Sequence, residues 1–290
     1  MIRRIKNNFK YLFNHFTLIA SMVFGAVSII LLFIDWSAFG LTDGDTKMKI
    51  YIMLGILLGC AIVALIWGIC FSNSNTIFSI DDVKIIVKYG DMLKIAFPKK
   101  SKEEKIVVLA VNSCFDTIVS QDLIKSDSMH GQFLQRFIKQ EKDRQRLDAE
   151  IERSLKEFDV EYKTLQRSDK RYGKLKRYPI GSVARVNGEN GVTFFLLAVS
   201  NFDIDCKACC DKYQLVQCLL SLFEYYDSHG QGKDLYIYPM GTGMSRTGLT
   251  KKDSLELITT LTKISKDKLK SKTTIIVDKR NKNDIAISNI

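Results

Sequence analysis

Two long apolar stretches open the chain, and shorter apolar segments alternate with charged ones after them. Thr17–Trp36 is 20 residues whose only charge, Asp35, sits at its far edge. Ile50–Phe71 is 22 residues with no charge. At about 1.5 Å of rise per residue, each run predicts a helix of about 30 Å, the thickness of a bilayer's hydrocarbon core. Trp36, Tyr51 and Trp67 lie near the ends, where amphipathic rings favour the headgroup zone. A cleaved leader is disfavoured by length and by the lack of a small-residue cleavage site before Asp35. Gly55-x-x-x-Gly59 is a small-residue pair of the kind that lets membrane helices approach.

Beyond Phe71 the periodicity changes. Ser72–Thr76 is polar and reads as a linker, and short β-branched runs follow it. Val83–Tyr89, Lys105–Val111, Val192–Ser200, Leu235–Pro239 and Thr273–Asp278 predict strands, several of them apolar enough for central strands covered on both faces. Gly181–Asn187 is expected to pair with Val192 onward across the Gly188–Gly191 turn. Helices are predicted at Gln132 to about Leu165, Cys209 to about Tyr226, and Lys251 to about Leu269. The first carries mixed-sign charges, as a solvated face or a partner-binding helix would. Alternating strands and helices imply a layered α/β sheet domain. The expected organisation is a basic tail at 1–16, a two-helix membrane hairpin at 17–71, a linker at 72–77 and a sheet domain at 78–290.

Charge adds topology. The net charge is +11. Arg3, Arg4, Lys6 and Lys10 precede the first run, and most of the remaining excess follows the second. The positive-inside rule then puts both termini in the cytoplasm. A basic chain also suits nucleic acid, but acidic residues are interleaved throughout and no basic stripe forms, so no nucleic-acid partner is expected. Seven cysteines without regular spacing do not make a disulfide framework. Cys206-x-x-Cys209-Cys210 lacks the second ligand pair that a zinc site needs, so no metal is expected.

The candidate chemistry lies in loops that follow strands. Gly90-Asp91-Met92 follows the first predicted strand. Asn112-Ser113 opens the loop after the second, and Ser128-Met129-His130-Gly131 stands at a helix start. Gly241-Thr242-Gly243-Met244-Ser245-Arg246 lies between a strand and a helix. In open α/β sheets ligands sit at the carboxyl ends of strands. A Gly-rich loop leading into a helix N-terminus presents backbone N–H groups to an anion, and Arg246 adds charge. The loop is not a Walker A motif, since no Gly-Lys-Ser/Thr follows at the right spacing.

The order of these segments resembles the macro domain family, a three-layer α/β/α module with a central mixed sheet that binds ADP-ribose. The resemblance implies that Asp91, with Met92, holds the adenine amino group and that Asn112, with Ser113, contacts the distal ribose. It further implies that Gly241, Thr242, Gly243, Met244, Ser245 and Arg246 wrap the diphosphate. Ser128, His130 and Gly131 stand near the usual triple-Gly loop, which is absent, so ligand binding without hydrolase activity is expected. The combination of two spans with VNSCFDT, SMHGQF and PMGTGMSRTGL is similar to the transmembrane-plus-macro type of Thoeris antiphage effectors. That likeness implies a homo-oligomeric, multi-pass protein of the bacterial inner membrane. It would bind an ADP-ribose-derived signal made by a TIR-domain partner, disrupt the lipid bilayer, and need no cofactor. A membrane-anchored ADP-ribosyl hydrolase, or an ADP-ribose reader without effector activity, is the alternative.

Overall fold

The computed structural model describes residues 2–42, 44–71, 73–101, 103–242 and 247–290. They form two compact units. One comprises Met1–Asn75 together with Arg280–Ile290, and the other is Thr76–Lys279.

The first unit is helical. Helix α1 (Ile2–Asn7) precedes α2 (Phe9–Phe33), and α3 (Thr46–Phe71) follows a short 3-10 turn at Trp36–Phe39. Both long helices are long and apolar enough to cross a membrane. No residue of α2 is buried, and Leu32 and Phe33 are 78% and 81% exposed. An apolar helix with no buried residue suits lipid better than a protein core. The helix starts eight residues before the predicted span, so much of the expected basic tail is helical.

The two helices meet along Cys60, Ala64 and Gly68, one small residue per turn. A Cβ on Gly68 would fall 2.1 Å from Leu12 Cδ2. The Gly55–Gly59 pair takes no part in this contact, since nothing described lies within 4 Å of a Cβ at either position. The C-terminal segment also belongs to this unit, which corrects the expected 78–290 boundary. Ser288 Oγ donates to Asn8 Oδ1 (2.6 Å), Asn7 Nδ2 to the Asn283 carbonyl (2.8 Å), and Asn75 Nδ2 to the Ile287 carbonyl (3.0 Å). Such amide side chains supply donors and acceptors to a segment with little regular structure.

The second unit is built on one sheet. Its elements are β1 (Ser74–Ile80), β2 (Val83–Gly90), α4 (Met92–Ala96), β3 (Lys105–Asn112), α5 (Met129–Phe137), α6 (Glu141–Glu157), β4 (Lys163–Thr164), β5 (Lys176–Arg177), β6 (Val183–Asn187), β7 (Val192–Phe202), β8 (Ala208–Cys209), α7 (Lys212–His229), β9 (Asp234–Ile237), α8 (Lys251–Ile264) and β10 (Thr273–Asp278). The order across the sheet is β1-β2-β10-β9-β3-β7-β6, with β8 on β7, while β4 and β5 pair apart from it. The four pairings from β2 through β10, β9 and β3 to β7 are parallel, and β6 and β8 run antiparallel to β7. The sheet is therefore mixed.

Two layers of helix cover it. Successive residues of a strand point to opposite faces. Phe194 of β7 meets Phe133 of α5 at a 5.0 Å centroid distance, and its neighbour Phe195 meets Tyr225 of α7 at 5.0 Å. Val107, Leu109 and Val111 of β3 join the core beneath α5 and α6 with Leu147 and Ile151. The strand is buried almost end to end, as its unbroken apolar run predicts.

Several predicted boundaries move. The expected linker at 72–77 is strand from Ser74, because Asp81–Asp82 supplies a two-residue turn back into β2. The single helix predicted from Gln132 is two. The Asp143 carboxylate accepts from the N–H groups of Lys139 (2.8 Å) and Gln140 (3.1 Å), starting α6 afresh. That helix then packs Leu147, Ile151 and Leu155 inward, so one face of the charged segment is core. The last predicted helix ends at Ile264 and is followed by a 3-10 turn at Lys266–Lys268.

Candidate functional site

A cavity of about 740 Å³ opens at the carboxyl ends of β3, β7 and β9. Its floor is Ala110–Asn112 of β3, Val199 and Ser200 of β7, and Tyr238–Thr242 beyond β9. The loop Gln121–Asp127 and the start of α5 form one wall. Arg171 and Tyr172, with Asp205–Ala208, form the other. This is the crevice that a doubly wound sheet opens where its connections diverge.

Asn112 lies where the β3–β7 register shifts, and the residue is 2% exposed. Its Oδ1 accepts from Cys114 N–H at 2.9 Å, turning the chain out of the strand. Its Nδ2 has no hydrogen-bond partner among the described residues. A buried donor left unmatched costs roughly 1–3 kcal/mol, so this one beside a cavity points at a ligand oxygen.

Ser128 caps α5, with Oγ accepting from Gly131 N–H at 2.9 Å and donating to the Lys125 carbonyl at 2.7 Å. His130 is half-buried and lines the same wall. Withdrawal from water, then the nearby Lys174 charge, push its imidazole down to about 3, while a contact with the Asp116 backbone works the other way. It is neutral at pH 7 and offers a hydrogen bond, not a charge.

Gly241 has φ +87°, in the left-handed region, and a Cβ there would meet Leu215 Cδ2 at 2.9 Å. Only glycine turns the chain this way at low cost. Thr247 Oγ1 donates to the Gly241 carbonyl at 2.7 Å, and Ser254 Oγ to the Met240 carbonyl at 2.7 Å. Thr242 lies beside Gly241 on the cavity. Gly243, Met244, Ser245 and Arg246 lie outside the described residues.

The helix after this loop is not an open anion site. Thr250 and Asp253 close its start as a capping box, with Thr250 Oγ1 accepting from Asp253 N–H (3.1 Å) and Asp253 Oδ2 accepting from Thr250 N–H (3.0 Å). Hydrogen bonds from Thr250 hold the Asp253 carboxyl below its usual range, so a negative charge already occupies the helix N-terminus. Backbone beyond Gly241 would have to receive an anion itself.

Asn112, Ser128, His130, Gly241 and Thr242 are thus brought together around one space. Asp91, Met92, Ser113 and Gly131 lie off its walls. Asp91 Oδ1 accepts from the N–H groups of Leu93 (3.0 Å) and Lys94 (3.3 Å) and caps α4. Met92 is 3% exposed in the core. Ser113 is buried, and its hydroxyl donates to Asn201 Oδ1 at 2.7 Å. Gly131 packs tightly, for a Cβ there would sit 2.1 Å from the Lys125 carbonyl oxygen.

Arg171 and Tyr172 carry no local signal in sequence. They reach the cavity on the excursion between β4 and β5, which is closed by Leu165 N–H donating to the Leu175 carbonyl. Lys170 anchors it. Its Nζ is fully buried and donates to Asp116 Oδ2 (2.6 Å) and the Lys174 carbonyl (2.8 Å), and Lys174 N–H donates to Asp116 Oδ1 (2.6 Å). Arg171 pairs with Asp205 at 3.2 Å, which sews the excursion to the opposite turn. Tyr238 stands one residue before the quoted Pro239 motif, and its aromatic side chain reads as strand core.

The family model described as Thoeris protein ThsA, Macro domain, matches residues 85–278. The Thoeris protein ThsA of Bacillus amyloliquefaciens (strain Y2) is 28% identical over 207 residues, covering 70% of this chain and 64% of that protein. The chain therefore spans a little under two thirds of that relative. Among solved structures, the Oceanobacillus iheyensis macrodomain with MES bound aligns at TM-score 0.46 and 12% identity, over 74% of this chain and 93% of its own. The macrodomain of Mycobacterium tuberculosis DarG aligns at TM-score 0.39 and 15% identity, over 66% and 96%.

Proposed function

The chain belongs to the Thoeris ThsA macro-domain family, and on that premise we propose that it is a membrane-anchored effector of bacterial antiphage immunity. Its sheet domain binds an ADP-ribose-derived nucleotide made by a TIR-domain partner. Occupancy drives homo-oligomerisation and bilayer disruption, and the infected cell dies. A signal can switch the protein only by binding the assembled state more tightly than the resting one.

The observation that carries the ligand reading is Asn112 Nδ2, a buried donor without a partner on the cavity floor. A ribose hydroxyl is the acceptor that suits it. The cavity volume lies within the usual range for small-molecule sites. Binding without turnover is the reading for this site. The neutral imidazole of His130 and the engagement of Asp116 by Lys170 and the Lys174 backbone support it, since each withdraws a candidate acid or base.

The two apolar helices support the membrane reading. The hydrogen bonds that join Asn7, Asn8 and Asn75 with the C-terminal segment support termini on one side of the hairpin. Arg3, Arg4, Lys6 and Lys10 favour the cytoplasmic side.

The test is calorimetric titration of ADP-ribose, base-linked derivatives and cyclic forms into the full chain in nanodiscs. At least one ligand should bind at micromolar concentration or tighter. Asn112→Asp keeps an acceptor for Cys114 N–H but removes the donor, so affinity should fall at least tenfold, about 1.4 kcal/mol. Binding by none of them would sink the nucleotide reading. Vesicle leakage that ignores a saturating ligand would sink the effector step.

A further inference from the structure

β3 and β9 pair in parallel only as far as Val107 and Tyr236. Beyond that point β3 continues beside β7 to Asn112, whereas β9 ends at Ile237. The two strands part, and the cavity lies at their carboxyl ends. A parted ladder leaves backbone groups that need other partners. Ala110 N–H finds one in the Tyr238 hydroxyl, to which it donates at 3.2 Å.

A phenol can accept and donate at once. Ala110 N–H uses a lone pair of the Tyr238 oxygen, and among the described residues no acceptor takes the phenolic proton. Tyr238 lines the cavity with Ala110 and Asn112. Burial pushes its hydroxyl up to about 12, so the proton is present at neutral pH.

We infer that the Tyr238 hydroxyl is a second ligand donor on the cavity floor and that it holds an oxygen of the ligand's diphosphate. This rests on the nucleotide reading and adds a contact to it. The phosphate is favoured by position. Tyr238 lies three residues before Gly241, where the left-handed turn brings backbone to the cavity. Ala110 N–H holds the hydroxyl, and Ser254 and Thr247 pin the carbonyls of Met240 and Gly241, so this part of the floor is set before the ligand arrives. The Ala110 N–H polarises the phenol, and each bond in such a chain strengthens the next. Charged oxygens are the strongest acceptors available to it.

Tyr238→Phe in the full chain in nanodiscs tests this against ADP-ribose and ADP by calorimetry, and against adenosine by ligand-observed NMR at millimolar concentration. The expected result is roughly tenfold weaker binding of both diphosphates, with adenosine unchanged. Wild-type affinity in the variant overturns the inference, as does an equal loss for adenosine, which would mean the hydroxyl only supports the fold. A fluorinated tyrosine at 238 keeps the acceptor for Ala110 and is a stronger acid. Diphosphate binding should then weaken as pH rises through its ionisation, because a phenolate cannot donate and repels phosphate. A flat profile overturns the inference. Wild type binding none of the three ligands overturns the nucleotide reading, and this inference with it.

Discussion

Replacing Asp116 by Ala probes what holds the outer wall of the cavity. The Asp116 side chain is 1% exposed and that of Lys170 is 0%. Their 2.6 Å contact joins the loop after β3 to the β4–β5 excursion that carries Arg171 and Tyr172. Removing the carboxylate leaves an ammonium in the interior with the Lys174 carbonyl as its remaining hydrogen-bond partner. Breaking one side of a buried pair costs about 3–5 kcal/mol, because the other charge stays desolvated. For a folded unit the size of Thr76–Lys279, each kcal/mol moves the melting temperature by about 2–4 °C. The expected drop is therefore about 6–20 °C. Asp116→Leu combined with Lys170→Met removes both charges and should recover most of that loss, less the cost of the orphaned Lys174 N–H. Thermal unfolding of the full chain in detergent, followed by intrinsic fluorescence at neutral pH, reads both. A single variant that melts with the wild type, or a double variant that melts as low as the single one, would refute the reasoning.

Two other perturbations follow from the α5 wall. Gly131→Ala places a Cβ 2.1 Å from the Lys125 carbonyl oxygen, so the start of α5 must shift, at about 1–3 kcal/mol. The melting temperature and the ligand affinity should fall together, since Ser128 and His130 ride on the same turn, and an unchanged melt counts against the packing. His130 takes a proton at about 6.5 in the unfolded chain and only at about 3 in the folded one. Between those values the unfolded chain binds more protons, so this contribution is complete above pH 6.5 and is lost as pH falls toward 3. His130→Gln should flatten the decline of melting temperature with acid. A slope as steep as the wild type's would show that other groups set it.

The long apolar helices, the strands and the Gly-rich turn were legible in sequence because each is encoded locally. An uncharged apolar run of 22 residues needs no tertiary partner to declare itself. The runs that became β3 and β7 announce burial on both faces by composition alone. Gly241 stands where a side chain would cost strain, so the residue type reveals the turn. The motif order carried family membership for the same reason, and it placed Asn112, Ser128, His130, Gly241 and Thr242 on one cavity without any distance in hand.

Side-chain direction and long-range pairing were decided only in three dimensions. Asp91 caps α4 and Ser113 bonds to Asn201, although both stand in loops that the motif order marks as ligand-facing. The carboxylate caps N–H groups just ahead of it, the hydroxyl meets an amide from a distant strand, and a linear pattern does not show which neighbour will be within reach. Asp116 and Lys170 are 54 residues apart in sequence, yet their contact brings Arg171 and Tyr172 to the site. Tyr238 reads as one more strand aromatic until the parting of β3 from β9 leaves Ala110 N–H to its hydroxyl. Sequence by itself determined which segments are apolar, where the chain must turn, and which family it joins, since these depend on residue type and spacing. The tertiary structure alone decided which polar groups are consumed by the fold and which remain for a ligand, because a hydrogen bond is spent on whatever partner the packing brings within about 3 Å.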